Sequence, residues 1–283
     1  MSKPTHLEPS ELGTKEYWDN LYAAEISNHA HNPADTGTVW FDDSDAEAKL
    51  IDFLSDSAQQ QEEDQQQLLS EETTSFLDLG TGNGSLLFGL RDAGWRGRML
   101  GVDYSRRSVE FARRIAESRS RDHNPGPDAD TTTTTATTTE SSSENPVEFL
   151  EHDILRTPPS ALLASVHQPL SWDVVLDKGT FDAISLSSET DPSTGRRVSE
   201  SYRARVAPLV RDGGLFLVTS CNWTEEELRS WFEGPRKDGE EEDEEAKGWR
   251  FDLIGRVEYP SFSFGGVKGQ TISSLCFRKV RNA

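Results

Sequence analysis

The chain has 283 residues, of which 34% are hydrophobic, and its formal net charge at pH 7 is −21. This length allows one large domain or two small ones, and the acidic balance argues against nucleic acid as a partner, because phosphate contacts need a basic surface. The two cysteines have no metal-ligand spacing, and no run of about 18 apolar residues occurs. We therefore expect a monomeric protein of the cytoplasm that has no metal site and no membrane partner.

Three segments carry too few apolar residues to form part of a core. They are a Gln/Glu-rich stretch at 57–74, a Ser/Thr/Pro tract at 118–146 and an acidic run at 236–247. Such compositions bury too little apolar surface to offset the entropy lost on ordering, so we predict disordered loops there. The remaining chain then divides into an N-terminal tail and helical extension at 1–56, packing on a core at 75–283, within a single domain.

Apolar residues near helical spacing predict a first helix around residues 17–26 and a second at 45–55. From residue 75 onward the patterns of strands and helices alternate. Strands are predicted at 76–79, 98–103, 147–150, 172–176, 215–219, 250–258 and 271–279. Further helices are predicted at 85–93, 105–118, 199–210 (ending at Gly213 and Gly214) and 225–232, the last with a capping box of Thr224 and Glu227.

This alternation predicts an α/β fold with a doubly wound, mostly parallel seven-stranded sheet and helices on both faces. A glycine-bearing loop, PSFSFGGVKGQ, is all that separates the last two strands, so they are expected to form an antiparallel hairpin. Ligands of such sheets bind at the carboxyl ends of the strands.

One such end carries a glycine turn, in the stretch FLDLGTGNGSLLFGL at 76–90. A strand followed by alternate glycines and a helix is a ligand cradle, because glycine permits the tight turn and the helix presents free N–H groups. Ser85 stands where a dinucleotide motif has its third glycine, and Asp78 would repel a pyrophosphate. We therefore predict a ligand other than a phosphate ester, which disfavours a nicotinamide oxidoreductase. The turn residues predicted to bind it are Gly80, Thr81, Gly82, Asn83 and Gly84.

Acidic residues follow the next strands in order. Asp103 lies 19 residues after Gly84, where a carboxylate can bind ribose hydroxyls, and Asp153 suits an adenine amino group. Asp177 ends the fourth strand. Each acid alone could be a helix cap or a solvated loop residue, but together they describe a ligand with a ribose, an adenine and a cationic group near Asp78. S-adenosylmethionine fits this description, and Tyr104 and Ile154 complete the predicted cofactor site.

The motifs LDLGTGNG and GVDYS resemble the seven-strand, class I S-adenosylmethionine methyltransferases. The stretches KEYWDNLY, DTGTVWF, LDKGTFDAISL, TSCNWTEEEL and PSFSFGG are similar to the eukaryotic lysine methyltransferases of translation elongation factor 1-alpha (the methyltransferase-like-10 group and its fungal counterparts). The matches run in order from about residue 16 to 279, apart from the three low-complexity segments. The resemblance implies methyl transfer from S-adenosylmethionine to a lysine of that elongation factor.

The resemblance also implies an apolar channel for the lysine amine. Phe181 and Trp223 are the aromatic candidates for it, although Trp223 could instead pack at the start of the last helix. Asp177 or Asn222 could accept a hydrogen bond from the amine, or could hold the loop. Trp40 lies in a Gly-rich polar stretch that is predicted to form a loop, and its ring is predicted to cover the cofactor by stacking.

Two other functions stay open from the residues alone. A small-molecule methyltransferase could use the same fold, although the chain shows no additional domain to cap a small substrate. A non-catalytic, cofactor-binding scaffold would be expected to have lost the glycine turn or the strand-end acids, and both are intact.

Overall fold

The computed structural model describes residues 4–63, 69–123, 145–163, 171–233, 248–264 and 267–282. Its helices are α1 (Lys15–His31), α2 (Ala46–Glu63), α3 (Ser85–Asp92), α4 (Arg106–His123), α5 (Thr180–Ser185), α6 (Tyr202–Val206) and α7 (Glu225–Phe232). Its strands are β1 (Phe76–Leu79), β2 (Met99–Asp103), β3 (Val147–Glu151), β4 (Trp172–Lys178), β5 (Val210–Ser220), β6 (Trp249–Val257), β7 (Ser261–Phe264), β8 (Val267–Gln270) and β9 (Ser273–Arg281).

In the described part of the chain, seven strands form one sheet in the order β3-β2-β1-β4-β5-β9-β6. The first five pair in parallel, and β9 runs antiparallel to both β5 and β6. This arrangement confirms the predicted sheet and its antiparallel C-terminal pair. The strand order reverses between β1 and β4, which opens a crevice at their carboxyl ends.

Two hydrophobic cores lie on opposite sides of the sheet. Alternate strand residues such as Phe76 and Leu176 belong to the core on the side of α2, α3 and α4, which we call the front face. Their neighbours Leu77 and Val175 belong to the core on the side of α6 and α7, which we call the back face. Helices on both faces were predicted, and this is confirmed. Among the helices described, none is long and apolar enough to cross a membrane.

The first low-complexity segment is partly ordered, so the prediction of a disordered loop at 57–74 is wrong for residues 57–63. Helix α2, predicted to end at residue 55, continues to Glu63, because Ala58 packs in the front core and Gln and Glu are good helix formers. Leu69 is also buried in that core. Similarly, α4 continues beyond residue 118 to His123. The rest of the Thr-rich tract up to residue 144, and the segment 236–247, lie outside the described residues.

The helix predicted at 199–210 is shorter than expected. The α-helical part is Tyr202–Val206, flanked by 3-10 turns, and Pro208 in the second turn cannot continue an α-helix. Gly213 and Gly214 do not end this helix. They lie inside β5, where the pairing with β4 shifts register, as glycines at a bulge commonly do.

Two further elements were missed. Helix α5 is too short for its six residues to show a period, and the loop predicted before the last strand contains the antiparallel pair β7 and β8. The capping box of α7 is confirmed. Thr224 accepts a hydrogen bond from the Glu227 backbone N–H, and the Glu227 carboxylate accepts one from the Thr224 N–H.

Candidate active site

The glycine turn connects β1 to α3 at the point where the strand order reverses. Gly80, Gly82 and Gly84 all have left-handed backbone conformations, with φ angles of 65°, 59° and 82°. A Cβ atom at Gly80 would lie 2.0 Å from Thr180 Oγ1, and one at Gly82 would lie 2.8 Å from the Tyr22 hydroxyl oxygen. Backbone conformation and close packing therefore both require glycine in this turn.

Two carboxylates flank the turn on the front face. Asp78 in β1 is buried, which raises its pKa to about 7, while the nearby Lys178 ammonium acts in the opposite direction. Burial likewise raises the pKa of Asp103, at the end of β2, to about 6. Asp103 accepts hydrogen bonds from the N–H groups of Gly82 (3.3 Å) and Ser105 (2.8 Å) and from the Ser108 hydroxyl (2.8 Å). The carboxylate of Asp103 thus holds the glycine turn against α4.

The remaining turn residues connect the turn to its surroundings. The Thr81 N–H donates to the Val102 carbonyl oxygen at 2.9 Å. The Asn83 side-chain amide donates to the Thr36 carbonyl oxygen at 2.9 Å, and its oxygen accepts from the Ser85 N–H at 3.1 Å. Asn83 therefore both closes the turn that leads into α3 and anchors the loop that follows α1.

The residues predicted for the adenine side follow β2 and β3. Tyr104 is half-buried, and the ammonium of Lys15 lies 5.5 Å from its ring centroid. Ile154 is buried in the back core. Asp153 is half-buried and accepts from the Leu155 N–H (2.9 Å) and from the Arg156 guanidinium (2.9 Å), so it organises the turn after β3. Their contacts with adenine stay predictions.

Trp40 lies in the loop between α1 and α2, as predicted. Its ring is half-buried with its centroid 5.3 Å from that of Trp18 in α1, and its carbonyl oxygen accepts from the Lys178 ammonium at 3.1 Å. The position is compatible with a cover over the crevice, and stacking on a cofactor stays a prediction.

Asp177 does not point toward the glycine turn. It is 1% exposed and projects into the back face, where it accepts from the Tyr202 hydroxyl (2.6 Å) and from the N–H groups of Thr180 (2.8 Å) and Phe181 (3.1 Å). Burial raises its pKa to about 7. This arrangement corresponds to the loop-holding alternative, and it gives no support to a contact of Asp177 with the substrate amine or the cofactor.

The two aromatic candidates also lie in the back core. Phe181 is 1% exposed and packs against Tyr202, Trp223 and Phe232, with centroid distances of 5.4, 6.1 and 5.0 Å. Trp223 is buried directly before the cap of α7, and its indole N–H donates to the Ser185 hydroxyl at 3.2 Å. Of the two alternatives for Trp223, packing at the helix start is the one that this geometry matches.

Of the two residues predicted to accept a hydrogen bond from the substrate amine, Asp177 and Asn222, Asn222 is the one that keeps some exposure to solvent. It is half-buried in the loop after β5, where its backbone N–H donates to the Ser220 hydroxyl at 3.1 Å. The same loop is held by Asp182, which accepts from the Cys221 N–H at 2.8 Å and from the Ser220 hydroxyl. The side-chain oxygen of Asn222 accepts only a long contact from the Cys221 thiol, at 3.8 Å, so this side chain can take part in binding while Ser220 and Asp182 hold the loop.

Several polar residues around the crevice were not predicted. Tyr22 of α1 closes one side of the turn, and Glu47 of α2 accepts from the Ser85 hydroxyl at 2.5 Å and pairs with Lys178 at 3.4 Å. Lys178 belongs to the motif LDKGTFDAISL, which could have indicated it. Tyr22 likewise belongs to the motif KEYWDNLY, whereas Glu47 carries no local signal, because its position depends on how α2 docks.

As a whole, the crevice combines buried carboxylates, a tight glycine turn and the N-terminus of the eight-residue helix α3, where the helix dipole is positive. Carboxylates of this kind suit a ligand that offers a cation and hydroxyl groups, and the helix N-terminus suits a carboxylate of that ligand. The arrangement can therefore hold a zwitterionic ligand with a ribose at the carboxyl ends of β1 and β2.

Comparison with known proteins gives a consistent picture. Residues 70–124 match the profile of a family described as "Methyltransferase domain". Over 99% of each chain, the sequence is 38% identical to "Protein-lysine N-methyltransferase EFM4" of Saccharomyces cerevisiae. It is 33% identical to "Protein-lysine N-methyltransferase efm4" of Schizosaccharomyces pombe, over 96% of this chain and 95% of the relative. It is 31% identical to "EEF1A lysine methyltransferase 2" of Danio rerio, over 99% and 92% respectively.

Proposed function

The chain belongs to the family of protein-lysine N-methyltransferases, and we propose that it transfers a methyl group from S-adenosylmethionine to a lysine of translation elongation factor 1-alpha. The observation that carries the proposal is the pair of buried carboxylates, Asp78 and Asp103, on either side of the glycine turn. They lie in a chain that aligns from end to end with relatives named as lysine methyltransferases, one of them for EEF1A.

The residues present fit S-adenosylmethionine. Asp78 would hold its ammonium group, Asp103 its ribose hydroxyls, and the N–H groups at the start of α3 its carboxylate. Tyr104 and Asp153 flank the side on which the adenine would lie. When bound, this cofactor supplies an electrophilic methyl group on a positively charged sulfur.

The acceptor lysine must lose its proton, since a protonated amine has no lone pair to donate. At pH 7 this costs roughly 4–5 kcal/mol for an amine whose pKa is near 10.4. Desolvation lowers that pKa, and alignment of the amine with the methyl group supplies much of the remaining rate enhancement. We propose Asn222 as the hydrogen-bond acceptor for the amine, because its side chain is half-exposed whereas Asp177 is enclosed in the back core.

The test is methylation of purified elongation factor 1-alpha by the full-length chain, with radiolabelled S-adenosylmethionine and mapping of the label by mass spectrometry. We expect label on a lysine of the native factor, with none when Asp103→Ala replaces the wild-type enzyme. Cofactor binding is measured in parallel by calorimetry.

Two outcomes would contradict parts of the proposal. Cofactor binding without labelling of the elongation factor would remove the proposed substrate and leave the methyltransferase assignment in place. Failure of the wild-type chain to bind S-adenosylmethionine would contradict the proposed cofactor site itself.

A further inference from the structure

Lys178 is the last residue of β4, and its side chain projects from the opposite face to that of Asp177. The side chain is 12% exposed, and its ammonium donates to the Trp40 carbonyl oxygen at 3.1 Å and lies 3.4 Å from Glu47 Oε1. A half-buried ammonium in contact with a carbonyl oxygen and a carboxylate forms charge-assisted bonds, which are stronger than neutral ones. Lys178 therefore links the end of β4 to both α2 and the loop that precedes it.

That loop, residues 32–45, crosses the carboxyl edge of the sheet, and we call it the strap. Near its start, Asn83 of the glycine turn donates to the Thr36 carbonyl oxygen (2.9 Å), and Glu25 accepts from the Thr38 hydroxyl (2.9 Å). Toward its end, Trp40 is held by Lys178. The first anchor, Asn83, belongs to the glycine turn, and the second, Lys178, lies at the C-terminal end of β4. The strap therefore extends from the predicted cofactor side of the crevice toward β5.

The second half of the strap needs such an anchor. Phe41 has a φ angle of 67°, a left-handed conformation that is unfavourable for a bulky side chain and persists where surrounding contacts enforce it. Its ring lies 3.2 Å from the point where a Cβ of Gly179 would be, and 5.9 Å separates its centroid from the Lys178 ammonium. Lys178 and Gly179 together enclose the strained residue.

The same half of the strap lies near the loop after β5, which carries the proposed hydrogen-bond acceptor Asn222. The N–H of Gly179, the residue against which the Phe41 ring lies, donates to the Thr219 carbonyl oxygen at 3.0 Å, and Thr219 precedes Asn222 by three residues. The Trp40–Phe41 end of the strap is thus close to the side on which the lysine amine would enter.

We propose that Lys178 is a positioning residue that holds the Trp40–Phe41 part of the strap over the side of the crevice where Asn222 would meet the lysine amine. This inference rests on the proposed function, because it assigns the strap to the entry of the protein substrate. Lys178 does not touch the reacting atoms in this role. Its ammonium acts through the Trp40 carbonyl oxygen, with Glu47 keeping the ammonium in place.

The experiment compares Lys178→Met with Lys178→Arg and Glu47→Gln in the full-length enzyme, with Lys49→Met on α2 as the matched control. For Lys178→Met we expect kcat/KM for the elongation factor to fall about tenfold or more, since displaced positioning elements cost up to about 100-fold. Cofactor Kd should stay within about threefold of wild type. Hydrogen exchange of residues 36–45 should become faster in Lys178→Met, should recover partly in Lys178→Arg and should be unchanged in Lys49→Met.

Unchanged exchange of residues 36–45 in folded Lys178→Met would overturn the proposal, as would an unchanged kcat/KM. Equal losses of cofactor affinity and turnover would also overturn it, because they would place Lys178 in the cofactor site. If Lys178→Met does not fold, Glu47→Gln provides the same comparison with a smaller expected change. Should the wild-type enzyme fail to label the elongation factor, the proposed function fails, while the exchange measurement still decides whether Lys178 anchors the strap.

Discussion

The front and back faces of the sheet use the strand-end charges in different ways. On the front face, Asp78, Asp103 and Lys178 surround the glycine turn and remain next to the crevice. On the back face, Asp177 is enclosed by the N-terminus of α5 and the hydroxyl of Tyr202. Acids at the ends of neighbouring strands thus line the crevice in one case and support the fold in the other.

The difference follows from strand register. Asp78 is paired with Leu176 and Leu79 with Asp177, so Asp177 shares its face with Leu79 of the back core. Successive side chains of a strand point to opposite faces, so a shift of one residue moves a carboxylate from one face to the other. A strand-end acid is therefore a site candidate only when its register places it on the face of the ligand crevice.

The largest effect is expected on thermal stability in Asp177→Ala, which tests the structural role that we assign to the back-face acid. The change leaves three donors without their acceptor, namely the buried Tyr202 hydroxyl, the buried Phe181 N–H and the half-buried Thr180 N–H, which costs about 1–3 kcal/mol for each group. We expect the melting temperature to fall by roughly 6 °C or more, at about 2–4 °C per kcal/mol. Asp56→Ala, on the exposed side of α2, is the control in calorimetry and should change little. If the Asp177→Ala variant is as stable as the wild type but has lost turnover, the structural role is wrong and Asp177 takes part in the reaction.

Asp78→Asn tests the front face. It removes the negative charge that we assign to the cofactor ammonium, a charge-assisted bond of about 1.5–3 kcal/mol, so cofactor Kd should rise about 10- to 100-fold. Because the ionised form of Asp78 is disfavoured by burial, its loss should not lower the melting temperature of the cofactor-free protein. Isothermal calorimetry and thermal unfolding check both statements. Equal affinity in the two proteins would remove Asp78 from the cofactor site.

The raised pKa of Asp78 predicts a pH dependence. Its value in the folded state, about 7, lies above that of an unfolded aspartate, so its ionisation costs stability as the pH rises between the two values. A bound cation favours the ionised form, and affinity should therefore increase as the pH rises through about 7. The cofactor should raise the melting temperature more at pH 8 than at pH 6, and Asp78→Asn should lose most of this difference. If Asp78→Asn shows the same difference between pH 8 and pH 6 as the wild type, the pH dependence belongs to another group.

A smaller effect is expected for Trp40→Ala. If the indole stacks on the cofactor, its removal should weaken binding by the equivalent of about 0.5–1.5 kcal/mol, or roughly two- to tenfold. Trp40→Phe keeps an aromatic ring and should retain most of the affinity in the same calorimetric measurement. An affinity unchanged in Trp40→Ala would contradict stacking of this residue on the cofactor.

Much of this fold could be predicted from the sequence because its signals are local. An apolar run that ends in alternate glycines determined β1, its turn and the start of α3, and the Thr224–Glu227 pair determined the first turn of α7. The prediction failed where the period was too short, as in α5, or where low-complexity residues continue a helix with a buried face, as in α2.

Local sequence patterns specify the strands of the main sheet, the glycine turn and the acids that follow each strand, since these depend on residues within a few positions of one another. Tertiary structure alone decided which acids meet. Strand pairing turned Asp177 away from the crevice, and the docking of α1 and α2 brought Tyr22 and Glu47 to it. The physical reason is that register and helix docking depend on contacts between distant segments, whereas the local pattern specifies only the segments themselves.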